Sequence, residues 1–167
     1  NKILNENLAK DIFIAQSLKQ TKNMWNIRES ISEAQKKEGG SIKNDISIPI
    51  KDISKFIKSA IKISKEVIPG SRCVVFGHIG DGNIHFNISQ PVKADKDKFL
   101  KKEGALRKEI INLTLDLKGS ISAEHGIGLT RKDDLKKYMK KDVEVFKSIK
   151  KSFDPKNIMN PGKVIDI

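Results

Sequence analysis

The stretch Gly77-His78-Ile79-Gly80-Asp81-Gly82-Asn83-Ile84-His85 constrains this chain more than any other. Runs rich in Val, Ile and Phe flank Asp81-Gly82, a pair that tolerates the positive φ of a two-residue type I′ turn. The spacing predicts a hairpin in which Gly80 faces Asn83, Ile79 faces Ile84 and His78 faces His85. Side chains alternate along a strand, so Val74, Phe76, Asn87 and Ser89 share the histidine face. Cys73, Val75, Ile79, Ile84, Phe86 and Ile88 point to the other face and are expected to meet the core. Opposed imidazoles have Cβ atoms about 5 Å apart, near enough to share one divalent metal. A bare pair is equally readable as hydrogen-bonded surface residues, and a third ligand decides.

The first twenty residues carry a weak mixed pattern and are expected to be irregular. Thr21 to Lys37 reads as a helix with Thr21 as N-cap, an apolar stripe of Met24, Trp25, Ile27, Ile31 and Ala34, and Gly39-Gly40 beyond its end. Arg28 and Ser32 lie one turn apart on it. Ser41 to Ile50 alternates, with Ile42, Ile46, Ile48 and Ile50 opposite Lys43, Asp45 and Ser47; Pro49 suits the end of that strand. Asp52 to Val67 is an amphipathic helix stopped by Pro69-Gly70. A long helix follows the hairpin from about Asp95 to Leu117, and Ser120 to Ala123 reads as a short strand. Helices near Leu129 to Tyr138 and Asp142 to Phe153 precede turns at Asp154-Pro155 and Asn160-Pro161-Gly162.

From Ser41 the order is strand, helix, strand, strand, helix, strand. That predicts an α+β fold: a ferredoxin-like antiparallel sheet with helices on one face, plus C-terminal helices. Lys43, His78, His85 and Asn87 then gather on the face opposite the helices. No repeat or linker divides the chain, and 167 residues suit one domain, 1–167, with a core that needs no disulfide. The single cysteine, Cys73, falls on the core face and reads as packing.

The net charge is +12, yet only four of the 33 basic residues are arginine, and the lysines are scattered over nearly every amphipathic segment. Scattered lysine is a solvated surface rather than a nucleic-acid footprint, so no nucleic-acid partner is expected. No apolar run is long enough to cross a bilayer. The chain begins with Asn1 instead of methionine and is read as a piece of something longer, whose N-terminal address is lost with the upstream part. A cytoplasmic location, or attachment to the cytoplasmic side of a membrane, is expected.

A second cluster, Ser122-Ala123-Glu124-His125-Gly126-Ile127-Gly128, holds the third histidine beside an acid. Glu124 suits a two-histidine, one-carboxylate metal site with His78 and His85, which leaves positions open for water or substrate. In extended backbone neighbouring side chains diverge, so His125 is better cast as a base beside the metal than as a fourth ligand.

Five segments, in order, resemble one family: Trp25 with Arg28-Glu29, Lys43 to Pro49, Gly77 to His85, Glu124 to Gly128, and Asp154-Pro155 through Asn160-Pro161-Gly162-Lys163. Together they are similar to the C-terminal domain of FAD-linked 2-hydroxy acid dehydrogenases and oxidases, the group of D-lactate dehydrogenases, glycolate oxidase subunits and D-2-hydroxyglutarate dehydrogenase. The resemblance implies oxidation of a D-2-hydroxy acid to the 2-oxo acid, with hydride transfer to FAD. It implies His78, His85 and Glu124 as ligands of a divalent metal, zinc by preference, and His125 as general base. It implies Arg28, Ser32, Lys43 and Asn87 as substrate contacts, Ser32 standing where one branch often has threonine, and Asn160 as a flavin contact. The FAD is held mainly by an N-terminal domain that serves as partner, and this chain by itself is expected to be inactive. The rival reading is a ferredoxin-like small-molecule or nucleic-acid binding module without redox activity. An RNA-binding use of that sheet needs stacking aromatics on its open face, where the register offers only Phe76.

Overall fold

A computed structural model describes Glu6 and residues 8–167. The expectation of irregular structure for residues 1–5 and 7 lies outside the described residues. Helix α1 (Leu18–Glu29) begins where Ser17 Oγ accepts the Gln20 backbone N–H, so the cap lies four residues before the expected one at Thr21. The predicted single helix is two: the chain breaks at Ser30, whose hydroxyl turns back on the Asn26 carbonyl at 2.7 Å, before α2 (Ile31–Lys36). Met24, Trp25 and Ile27 are exposed. Helical spacing determines that one side of α1 is apolar; it does not supply the surface that would cover it.

Strands β1 (Ser41–Ser47), β2 (Arg72–Phe76) and β3 (Asn83–Ser89) form an antiparallel sheet in the order β1-β3-β2. β1 is followed by a single 3-10 turn (Ile50–Asp52) and α3 (Ile53–Val67). The expected long helix is broken at Lys101-Lys102 into α4 (Lys96–Leu100), capped by Asp95, and α5 (Glu103–Asp116). Ile42 and Ile46 of β1, Ile84, Phe86 and Ile88 of β3, Phe56 and Ala60 of α3, and Leu106 and Ile110 of α5 form one buried cluster. Phe56 meets Phe86 edge-on at 5.8 Å between ring centroids. Both long helices therefore cover one sheet face, as expected for the α+β arrangement. Cys73 packs against this cluster, and burial pushes its thiol pKa up. Ile50, assigned to the core side, is exposed because the strand ends before it.

The fourth strand is reduced to one antiparallel bridge between Ser120 and Ser47. The position beside β1 is the one a split βαβ fold assigns it. Propagation stops because the backbone N–H groups of Glu124 and His125 are taken by the Asp45 carboxylate instead of a strand. After it, α6 (Lys132–Tyr138) and α7 (Lys140–Phe153) pack a small second core of Leu135, Val143 and Ile165. Leu129, expected at the start of α6, is exposed and precedes it. No helix among the described residues is long and apolar enough to cross a membrane.

The hairpin register differs from the expected one by two residues. Phe76, not His78, pairs with His85, and β2 ends there. Residues 77–82 form a longer connection containing a 3-10 turn (Ile79–Asp81), with Gly82 left-handed at φ +70. Contact with the end of β1 selects this loop: Ile48 N–H donates to Gly82 O at 2.9 Å. A Cβ on Gly82 would lie 2.3 Å from Ile48 O. Ile79, expected in the core, sits in the loop and is exposed. A slip of two preserves side-chain parity, so Val74, Phe76, His85 and Asn87 still share the open face. Gly82→Ala is expected to lower stability by about 1–3 kcal/mol through left-handed strain and the clash with Ile48, read as a lower urea midpoint at unchanged m-value.

Candidate metal and substrate site

Asp45 and His85 are directly opposed across β1 and β3 on the open face. Asp45 is nearly fully buried, 6% exposed, yet it is surrounded by donors. Its Oδ2 accepts the backbone N–H groups of Glu124 and His125, both at 2.8 Å, and Oδ1 accepts Asn83 Nδ2 at 3.2 Å. Oδ1 also stands 3.4 Å from His85 Nδ1, and Oδ2 3.7 Å from His125 Nδ1. Burial alone would raise the Asp45 pKa; the two backbone donors and the nearby imidazoles outweigh it and hold the carboxyl below its ordinary value.

By pulling in that backbone, Asp45 places Glu124 over the histidines. Glu124 Oε1 lies 3.1 Å from His78 Nδ1, and Oε2 lies 3.4 Å from His85 Nε2. His78 comes from the loop rather than a strand, so the three side chains converge by a route other than the expected strand pairing. The His85 and His125 rings stack at 5.6 Å, Phe76 lies 5.0 Å from His85, and the Arg28 guanidinium sits 5.1 Å above Phe76. The Phe76 ring is thus engaged by Arg28 and His85, which makes it a support for these groups rather than a platform for a nucleic-acid base.

The donor set suits a divalent cation. Two carboxylates face three imidazoles, and with the imidazoles in the neutral form that ligates metals the cluster carries about two negative charges. The group whose ligating atoms all lie within 4.8 Å of one another is Asp45, His85 and His125; Glu124, through its two oxygens, meets His78 and His85. Beside the cluster, a cavity of about 320 Å³ is lined by Lys43, Asp45, His85, Arg107, His125 and Arg131, among others. Arg131 Nη2 donates to Lys43 O at 3.2 Å, tying the segment after His125 to the edge of β1. Burial, with Arg107 close by, pushes the Arg131 guanidinium pKa below its usual value, against the opposing pull of Asp134 and Glu103.

The other sequence-derived candidates fall in different places. Ser32 is exposed on α2 and stands outside the cavity lining. Asn87 is buried, and its Nδ2 donates to Gln35 Oε1 at 2.9 Å; Gln35 in turn reaches Ser41 and Ser89. Asn160 lines a separate groove with Phe146, Phe153 and Met159. Sequence reasoning missed Asp45, Arg107 and Arg131. The alternation of β1 had put Asp45 on the histidine face, but nothing local links it to Glu124, 79 positions away.

The fit to FAD is different. Gly126-Ile127-Gly128 precedes α6, but the cations at the start of that seven-residue helix are already engaged, Arg131 with Asp134 and Lys132 with Asp166.

Residues 1–164 match the family model of the C-terminal domain of FAD linked oxidases. Over 156 residues the chain is 42% identical to a D-2-hydroxyglutarate dehydrogenase of Stutzerimonas stutzeri, covering 92% of this chain and 33% of that protein. Against the mitochondrial D-2-hydroxyglutarate dehydrogenase of Arabidopsis thaliana it is 37% identical over 166 residues, covering 98% of this chain and 28% of that one. The rat mitochondrial protein of the same name is 34% identical over 166 residues, with 98% and 29% covered. The chain thus spans about a third or less of the length of these curated relatives. With that match running through every segment that builds the imidazole cluster, the chain belongs to the family of FAD linked oxidase C-terminal domains.

Proposed function

We propose that residues 1–167 form the substrate- and metal-binding domain of a flavoenzyme that oxidises a D-2-hydroxy acid, D-2-hydroxyglutarate before D-lactate or glycolate. The observation that carries this reading is the Glu124 carboxylate facing both His78 and His85, with His125 beside them at a cavity where Lys43, Arg107 and Arg131 stand with Asp45 and Glu103. The names of the relatives support the choice of substrate.

In this reading His78, His85 and Glu124 hold a divalent cation, zinc by preference. When bound, it supplies positive charge that makes the substrate 2-hydroxyl easier to deprotonate. His125 accepts that proton on its ring. Arg28 and Lys43 hold carboxylate, arginine through a bidentate fork and lysine as a point charge, and so fix the orientation of C2. Arg28 is steadied for this by Phe76 beneath it. Ser32 and Asn87 have the lesser role of polar contacts on the α2 side. Asn160 is the flavin contact proposed for this chain. The FAD itself is held by the remainder of the protein, which is the partner of this domain.

The test is turnover of the full-length protein with D-2-hydroxyglutarate, D-lactate and glycolate, using a reducible dye and the flavin spectrum. A site that pairs a second carboxylate discriminates against acids lacking one, so kcat/KM is expected to favour D-2-hydroxyglutarate by about 10²-fold or more. Equal efficiency with D-lactate would overturn the substrate choice. Absence of flavin bleaching with all three acids would overturn the reaction class.

A further inference from the structure

We infer that Asp45 is the positioning residue of this site: a buried carboxylate that orients His85 through Nδ1 and pins the backbone that carries Glu124 and His125. The inference rests on the metal-binding reading above and goes further, because it chooses between two donor sets that share His85. Asp45 could itself be a ligand, grouped with His85 and His125. Its hydrogen bonds argue against that.

An ionised carboxylate has about four acceptor positions. Three of those on Asp45 are filled by Glu124 N–H, His125 N–H and Asn83 Nδ2, and His85 Nδ1 faces the fourth at 3.4 Å. A cation on Asp45 would have to share the carboxylate with these three hydrogen bonds and displace His85 Nδ1 from the remaining position. Glu124, by contrast, is 44% exposed at its side chain, and among the described residues its carboxylate meets only imidazole nitrogens. Placing the His85 ring proton on Nδ1, the nitrogen that faces Asp45 at 3.4 Å, leaves the Nε2 lone pair on the side of Glu124 Oε2, 3.4 Å away. A histidine whose far nitrogen is held by a carboxylate is the usual support of a metal ligand. The same Asp45 oxygen that holds the His125 backbone lies 3.7 Å from its Nδ1. That leaves the Nε2 side of His125 to face outward for proton transfer. One side chain thus sets the ring tautomer of the ligand and the placement of the base.

Asparagine has the shape of aspartate but offers one oxygen, and its amide N–H₂ would confront donors. Asp45→Asn must therefore abandon some of these bonds, whichever way the amide turns. The experiment uses the full-length protein loaded with cobalt(II), comparing wild type, Asp45→Asn and Glu124→Gln. Asp45→Asn is expected to keep the wild-type d–d absorption band, weaken cobalt affinity by about 10–100-fold, and lower kcat with little change in KM. Glu124→Gln is expected to change the band, because a ligand has changed. A band altered in Asp45→Asn as much as in Glu124→Gln would make Asp45 a ligand, and unchanged affinity and kcat would make it a bystander; either overturns the inference. Wild-type protein that takes up no cobalt would overturn the metal reading and this inference with it. A measurement on the wild type stands apart from any folding defect in the variants. In cadmium-loaded protein with isotope-labelled histidine, nuclear magnetic resonance is expected to find the His85 proton on Nδ1 and cadmium coupling at Nε2. Cadmium coupling at Nδ1 would refute the assigned role.

Discussion

His125→Asn in the full-length protein is expected to lower turnover by about 10²–10⁴-fold, the usual worth of a positioned general base, while metal content stays near the wild-type value. The basis is geometric. The His125 ring stacks on His85 at 5.6 Å and borders the cavity, but its Nδ1 faces Asp45 instead of Glu124. It sits near enough to the proposed metal ligands to act where they act, without being one of them. Its side chain is 69% exposed, so the substitution removes little packing and the unfolding midpoint should barely move. Steady-state kinetics and elemental analysis of the same preparation check this. Loss of metal in proportion to activity would assign His125 to the coordinating set and reverse the roles proposed for it and for Asp45.

Glu124→Ala is expected to do the opposite: strip most of the metal and lower turnover by at least about 10²-fold, as loss of a direct ligand exceeds the 10–100-fold typical of a supporting one. Among the described residues, Glu124 is the side chain that touches both His78 and His85. Without it those imidazoles share no oxygen donor, and His78, 61% exposed at its side chain, has little else to hold it. The backbone bond from Glu124 N–H to Asp45 survives the substitution, so the segment should stay in place. A stability change within about 0.5 kcal/mol is expected for such a surface site. Retention of full metal content after dialysis against a chelator would remove Glu124 from the coordinating set.

Much of this was legible in the chain because side-chain direction in a strand depends only on parity. The alternation of residues 84–88 and the isoleucines of β1 put His85, Asn87, Lys43 and Asp45 on one face whatever the register. That is why Lys43, His85 and Asn87 share one face although the hairpin slipped by two. Helix identity was legible for the same reason, since the periodicity of Phe56, Ala60, Leu106 and Ile110 points one way regardless of partner. Helix ends were less so: Ser17, Ser30 and the Lys101-Lys102 break are decided by hydrogen bonds worth little each.

Sequence by itself determined the strand and helix order, the polar face that carries the histidines, and the proximity of an acid to the third histidine. Tertiary structure decided the rest. The register of the hairpin follows from Gly82 meeting Ile48, and the shortness of the last strand follows from Asp45 taking its backbone donors. His78 reaches Glu124 from a loop that local pattern assigned to a strand. The physical reason is shared by the first two: each outcome is a competition between a local preference and a hydrogen bond from the backbone to a group far along the chain. A buried backbone donor or acceptor left unpaired costs more than the local preference provides, so the distant partner prevails.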